Sequence, residues 1–139
     1  MLILRKVTKD EEGQWFDFDI RKETIRLKIR PLSSDILEGI RNKNKKVGRE
    51  LDPATRAMVK VDKYDEDKIN KEIVDFILDD FEGVGSDLDT PLENTPENKE
   101  MVMEIPPVDE EISVADFVFD TAKRLAAMSE EDFREQEKN

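Results

Sequence analysis

The most regular stretch of the chain is Thr24-Ile25-Arg26-Leu27-Lys28-Ile29-Arg30, where every second position is apolar. A period of two puts Ile25, Leu27 and Ile29 on one face of a strand and Arg26, Lys28 and Arg30 on the other. Trp15-Phe16-Asp17-Phe18-Asp19 is aromatic and extended, and the polar break Arg21-Lys22-Glu23 separates the two runs. Leu2 to Val7 reads as a further strand, followed by a turn at Lys9-Asp10-Glu11-Glu12-Gly13 in which Gly13 is free to take a positive φ. Residues 1–33 are therefore expected to form a small antiparallel sheet of about three strands, one face buried and the other basic and wet. Pro31 lacks a ladder donor and ends the last strand.

Beyond the sheet the pattern changes. Residues 34–64 predict a short capped helix from Ser34 that carries Ile36, Leu37 and Ile40, then a loop. Met58, Val59 and Val61 suggest one short strand within that loop. From Asp65 to Phe81 the apolar residues Ile69, Ile73, Phe76 and Ile77 recur at helical spacing, and Gly83 ends the run. Residues 83–92 are a polar loop. Thr95-Pro96 has the form of an N-cap followed by proline at the first helical position, opening a helix that Pro106-Pro107 closes. In the last helix, Ile112, Val114, Ala115, Val118, Phe119, Ala122, Leu125 and Ala126 fill an arc of roughly 160° at 100° per residue. Phe117 falls just outside that arc. The expected organisation is one α+β domain over 1–128, with sheet at 1–33, short helix and loop at 34–64 and helices at 65–128. Residues 129–139 are almost wholly polar and are expected to fray.

Composition narrows the chemistry. The 139 residues are 37% hydrophobic and 42% charged, and contain neither histidine nor cysteine. Thiolate nucleophiles, disulfides, nucleophile–histidine dyads, histidine-bearing zinc sites and facial-triad iron sites are thereby excluded. A conventional enzyme is not expected, and no cofactor is implied. No apolar run reaches the length of a signal-peptide core or a membrane span, so a cytoplasmic protein is expected. The net charge of −12 is unevenly spread. Residues 1–64 carry 16 basic and 11 acidic side chains; residues 65–139 carry 7 and 24. Such polarity suits an acidic half held ready for a basic partner, or simply one that keeps the protein soluble.

Three groups of residues bear on chemistry. Asp79, Asp80, Glu82, Asp87 and Asp89 surround a glycine-bearing loop, but Asp87-Leu88-Asp89-Thr90-Pro91 breaks the alternating oxygen register of a calcium loop. A solvated loop is the plainer reading, and nothing apolar surrounds these carboxylates to make an acid/base pair. Arg41, Lys43, Lys45, Lys46 and Arg49 form a basic run without interleaved aromatics, better suited to the chain's own acidic half or to solvent than to nucleic acid. Phe117 either completes the core or widens a partner-binding face.

Three motifs together resemble the tail assembly chaperones of long-tailed bacteriophages and prophages. They are Ile29-Arg30-Pro31-Leu32-Ser33 closing a strand, Val74 to Val84 (VDFILDDFEGV), and Pro91-Leu92-Glu93-Asn94-Thr95-Pro96-Glu97-Asn98-Lys99 entering a short helix. The resemblance spans residues 14–106, about two-thirds of the chain, around an insertion at Arg41–Val61. It implies a small acidic protein of the bacterial host cytoplasm that binds the tail tape-measure protein and keeps it soluble until tail tube protein polymerises around it. It also implies, for many members, a longer form made by frameshifting near the end of the reading frame.

Combined with the patterning, this suggests a mechanism. Apolar side chains of the two long helices (Ile69, Ile73, Phe76, Ile77, Phe117 and Val118) would shield hydrophobic heptads of the partner. Asp109, Glu110, Glu111, Asp116 and Asp120 would steer basic positions toward them. The alternative from another class is an acidic DNA mimic or regulator that occupies the basic groove of a nucleic-acid-binding protein. A small magnesium-dependent hydrolase using the 79–89 carboxylates is a third possibility.

Overall fold

The computed structural model describes residues 1–138; Asn139, the last residue of the expected polar tail, lies outside them. The fold is α+β, with an N-terminal antiparallel sheet, a second small sheet and a mainly helical C-terminal part.

The main sheet starts with β1 (Gln14–Ile20) and β2 (Glu23–Ile29), paired from Gln14↔Ile29 to Ile20↔Glu23. The register places Phe18 opposite Ile25 and Phe16 opposite Leu27, so one face of the hairpin is apolar. Arg21 and Lys22 make the two-residue turn at φ 52° and 66°, the left-handed backbone such a hairpin needs. Residues 30–33 lead into α1 (Ser34–Lys43), whose N-cap is Ser33; its hydroxyl accepts from the Ile36 amide at 3.2 Å.

The middle of the chain departs from expectation. In place of a loop with one short strand, β3 (Lys45–Leu51) and β4 (Met58–Tyr64) form a full antiparallel ladder of seven pairs. The turn between them closes on Asp52. Its amide donates to Ala57 O at 2.8 Å, its carbonyl accepts from Arg56 N at 2.7 Å, and its carboxylate accepts from Ala54 N at 2.9 Å.

The run expected to be one helix from Asp65 to Phe81 is in fact a helix and a strand. Helix α2 (Glu66–Ile77) carries Ile69, Ile73 and Ile77 into the core, and β5 (Leu78–Glu82) then joins the free edge of β2. Leu78 lies opposite Ile29 and Phe81 opposite Leu27, both facing inward, although they are three residues apart. The extra residue, Asp79, is taken up by a bulge. Gly83, at φ +89°, turns the chain out of the strand.

Three more helices follow. They are α3 (Pro96–Met103) with Thr95 as N-cap, α4 (Val114–Ala127) with Ser113 as N-cap, and α5 (Glu130–Lys138). The core lies between the apolar sheet face and helices α2, α3 and α4, with Leu27, Ile29, Ile69, Ile77, Leu78, Val102, Val118 and Leu125 all fully buried. Burying a side chain of this size stabilises by about 1.5–3 kcal/mol, and these residues anchor the fold. Lys99 is buried between α2 and α3, where its ammonium donates to the Asp75 carbonyl at 2.8 Å and carboxylate at 3.0 Å.

Three further expectations are corrected. Leu2–Val7 is not a strand of the sheet; it is held to the body by the isolated bridge Leu4↔Ser129, by the Glu130 amide donating to Ile3 O at 3.2 Å and by the Arg5 side chain. Residues 130–138 form a helix, because Phe133 finds an apolar seat and Ser129 accepts from the Asp132 amide at 3.3 Å. Gly13 does not take a positive φ. A Cβ there would come within 3.1 Å of Ile29 O and 3.2 Å of the Asp79 Cβ, so any larger residue would have to push these neighbours aside by a few tenths of an ångström.

Candidate protein-interaction surface

The apolar residues expected to meet a partner are mostly in the core. Ile69, Ile73, Ile77 and Val118 are buried against the sheet, and α2 and α4 have no other apolar stripe to offer. Phe117 packs on β1, its ring 4.7 Å from that of Phe18 and 6.4 Å from that of Phe16. Phe76 is half-buried beneath the Arg30 guanidinium at 5.4 Å. The helix faces that looked free are spent on holding the domain together, so they do not form a surface open to a partner.

Four of the five acidic positions are exposed, and the fifth is tied into the fold. Asp109, Glu110, Asp116 and Asp120 are exposed. Glu111 is engaged in folding, accepting from the Arg21 amide at 2.9 Å and the Val108 amide at 3.1 Å. The Arg21 side chain returns the contact by donating to Pro106 O at 3.0 and 3.2 Å, so this loop clasps the strained β1–β2 turn.

The outer sheet face is a three-lane charge pattern. Arg26 lies between Asp17 (3.4 Å) and Glu82 (3.3 Å), and Lys28 between Glu12 (2.7 Å) and Asp79 (3.7 Å). Arg30 meets Asp79 at 2.8 Å. Trp15 lies under both cations, at 4.8 Å from Arg26 and 5.9 Å from Lys28. The face is thus not simply basic. Its cations are matched by carboxylates of the flanking strands β1 and β5 and by Glu12, just before β1. The Glu12 hydrogen bond leads in holding Lys28 above its ordinary value, the reverse of the depressed pKa that a nucleophilic lysine needs. Asp87 is held low, first by the Asp89 amide, within the 84–92 loop. Among the described residues, no three carboxylates converge where a cation would sit.

The β3–β4 hairpin is different. Along both strands almost every residue is exposed, so it projects as an arm whose faces the rest of the chain leaves uncovered. It is tied at its base by the Asp65 amide donating to Asn44 O at 3.2 Å and by Arg41 over the Tyr64 ring at 4.6 Å. On one face the pairs are Lys45/Tyr64, Val47/Asp62, Arg49/Lys60 and Leu51/Met58. Val47, Leu51 and Met58 stand 65%, 59% and 62% exposed there. On the other face the Lys63 side chain lies across Gly48, within 2.9–3.5 Å of where a Cβ would be, and reaches Glu50 at 3.3 Å.

Electrostatically the arm opposes the body. Residues 45–64 hold six basic and three acidic side chains, a net of +3, which leaves −15 for the remainder of the −12 chain. Arg49 faces Lys60 and Lys46 faces Lys63 directly across the ladder, and like charges so placed repel. A lone two-stranded hairpin is marginal in water, and this one carries repulsion and bare apolar side chains as well.

The fold and surface define an acidic α+β protein with a basic, apolar arm. No family model, curated protein or solved structure matches the chain.

Residue patterning missed the arm. The alternation Met58-Val59-Lys60-Val61-Asp62 and the turn-forming Asp52-Pro53 were its signals, but β3 (KKVGREL) has too few apolar positions to read as a strand.

Proposed function

We propose that this protein acts by binding another protein, not by catalysis, and that it is a tail assembly chaperone whose client is the tape-measure protein of a long-tailed phage or prophage. The observation that carries the binding role is the arm: uncovered Val47, Leu51 and Met58 on a hairpin that the chain itself does not pack.

The chaperone identity rests on the three motifs, and their spatial relation supports treating them as one unit. Arg30 of the first motif pairs with Asp79 of the second at 2.8 Å. Asn94 of the third donates to the Asp79 carbonyl at 2.9 Å, and Lys99 reaches Asp75 of the second at 3.0 Å. Segments up to 69 residues apart thus meet around one stretch of α2–β5. The clients of such a protein expose apolar heptads, which the arm would cover, and the acidic body would keep the complex soluble.

Co-expression with the tape-measure protein from the same genome tests this reading. The client should move to the soluble fraction and copurify. An insoluble client, with no copurification, contradicts the chaperone assignment.

A further inference from the structure

We infer that in the free protein the arm is covered by a second copy of this chain, its basic apolar face seated in the acidic apolar groove between the N-terminal segment and α5. From the preceding reading this takes only that the arm is a protein-binding surface.

The two surfaces are complementary in both apolarity and charge. The groove, of about 340 Å³, is lined by Leu2 and Ile3 on one side and by Glu131 and Glu135 on the other. Leu2 and Ile3 are 74% and 61% exposed, although their apolar side chains have every reason to be covered. Within the groove Arg134 is spent on Glu130 at 3.1 Å, while Glu131 and Glu135 are exposed. The arm offers the opposite arrangement: Val47, Leu51 and Met58 around the cation pair Arg49/Lys60. Apolar contact would remove Leu2, Ile3, Leu51 and Met58 from water together. Two carboxylates beside Arg49 and Lys60 would turn a repulsive cross-strand pair into a bridged one.

The geometry also explains why the occupant would be another molecule. The arm is tethered to the body at Asn44–Asp65, and its exposed strands show that it does not fold back over its own chain. Arm and groove are separate patches, so each contact pairs one copy's arm with the other's groove, and a singly joined pair keeps one free arm and one free groove. Repeated from copy to copy such contacts give rings or open chains, and exchanged reciprocally between two copies they close a two-fold dimer. A client that takes the arm would release the second copy, and self-association and client binding would compete.

Sedimentation velocity of the full-length protein tests this over about a hundredfold range of concentration. The runs are made in about 50 mM and about 500 mM NaCl, where screening differs strongly. The mean mass should rise with concentration at low salt and fall toward the monomer at high salt. R49E/K60E and E131K/E135K should each weaken association about tenfold or more, and mixing the two variants should restore it. K22E/R124E, which changes two exposed charges elsewhere, should leave it unchanged. A monomer throughout at low salt, association indifferent to both pairs of reversals, or no recovery on mixing overturns the inference. If the protein is monomeric and R49E/K60E loses the tape-measure protein, the arm belongs to the client alone. Self-association that follows the pattern while the client stays insoluble upholds this inference and removes the chaperone reading.

Discussion

Arg5 lies beneath Phe133, its guanidinium carbon 3.7 Å from the centre of the ring. The same guanidinium donates to Glu11 and to the Leu125 carbonyl, each at 2.6 Å, and the side chain is only 4% exposed. One arginine thus joins the N-terminal segment, the end of α4 and α5. Since Phe133 is the one buried side chain among the described residues of α5, the helix depends on this contact.

Phe133→Ala should therefore release α5 without unfolding the sheet. A buried Phe→Ala change costs about 3–5 kcal/mol in a core, more than a nine-residue polar helix can supply by itself. Hydrogen exchange should show protection lost over 130–138 and kept over β1, β2 and β5. Retained protection of α5 would count against this account.

Lys22→Gly should stabilise the protein. Lys22 is exposed and sits at φ 66°, where an ordinary side chain costs about 1–2 kcal/mol and glycine does not. After glycine's extra chain entropy, a gain of about 0.5–1 kcal/mol should appear in urea unfolding. Arg21, at φ 52°, is a poorer choice because its side chain holds Pro106 O.

Asp79→Ala should destabilise by about 3 kcal/mol, because it strands partly buried donors. The carboxylate meets Arg30 at 2.8 Å and accepts from the Gly13 amide at 3.3 Å. Chemical denaturation measures the loss, and a neutral result would show that the bulge holds without its acid.

The Lys28–Glu12 bond gives a pH dependence of definite sign. Lys28 is raised above its ordinary 10.5, so its contribution is complete below that pH and lost as pH rises through the higher folded value. The stability difference between the parent and Glu12→Gln should be constant through neutral pH and vanish in the strongly alkaline range. It should be small, about 0.5 kcal/mol, since Glu12 is mostly exposed.

Much of the fold was readable from side-chain periodicity. The alternation in Thr24–Arg30, the Thr95-Pro96 cap and the stripe of α4 each appear where local pattern and burial agree. The misreadings have physical causes. Leu78 and Phe81 are spaced three apart because Asp79 bulges, and that spacing imitates a helix. Phe133 is a single apolar residue in a polar run, and what seats it, Arg5 and the core cluster, is distant in sequence. The arm lacks a buried face, so the period that identifies most strands carries little signal there. The candidate site was the least legible part, since the same apolar stripes that suggested partner contact are what close the core.

The central claim is that the arm is where a protein partner binds, and photo-crosslinking in cells tests it most directly. A photoreactive amino acid placed singly at Leu51, Met58 or, as a control, Lys123 on the exposed side of α4 would be activated with the tape-measure protein co-expressed. The account predicts adducts with that client from positions 51 and 58 and none from 123. Client adducts absent from both arm positions, or as strong at 123, would contradict it.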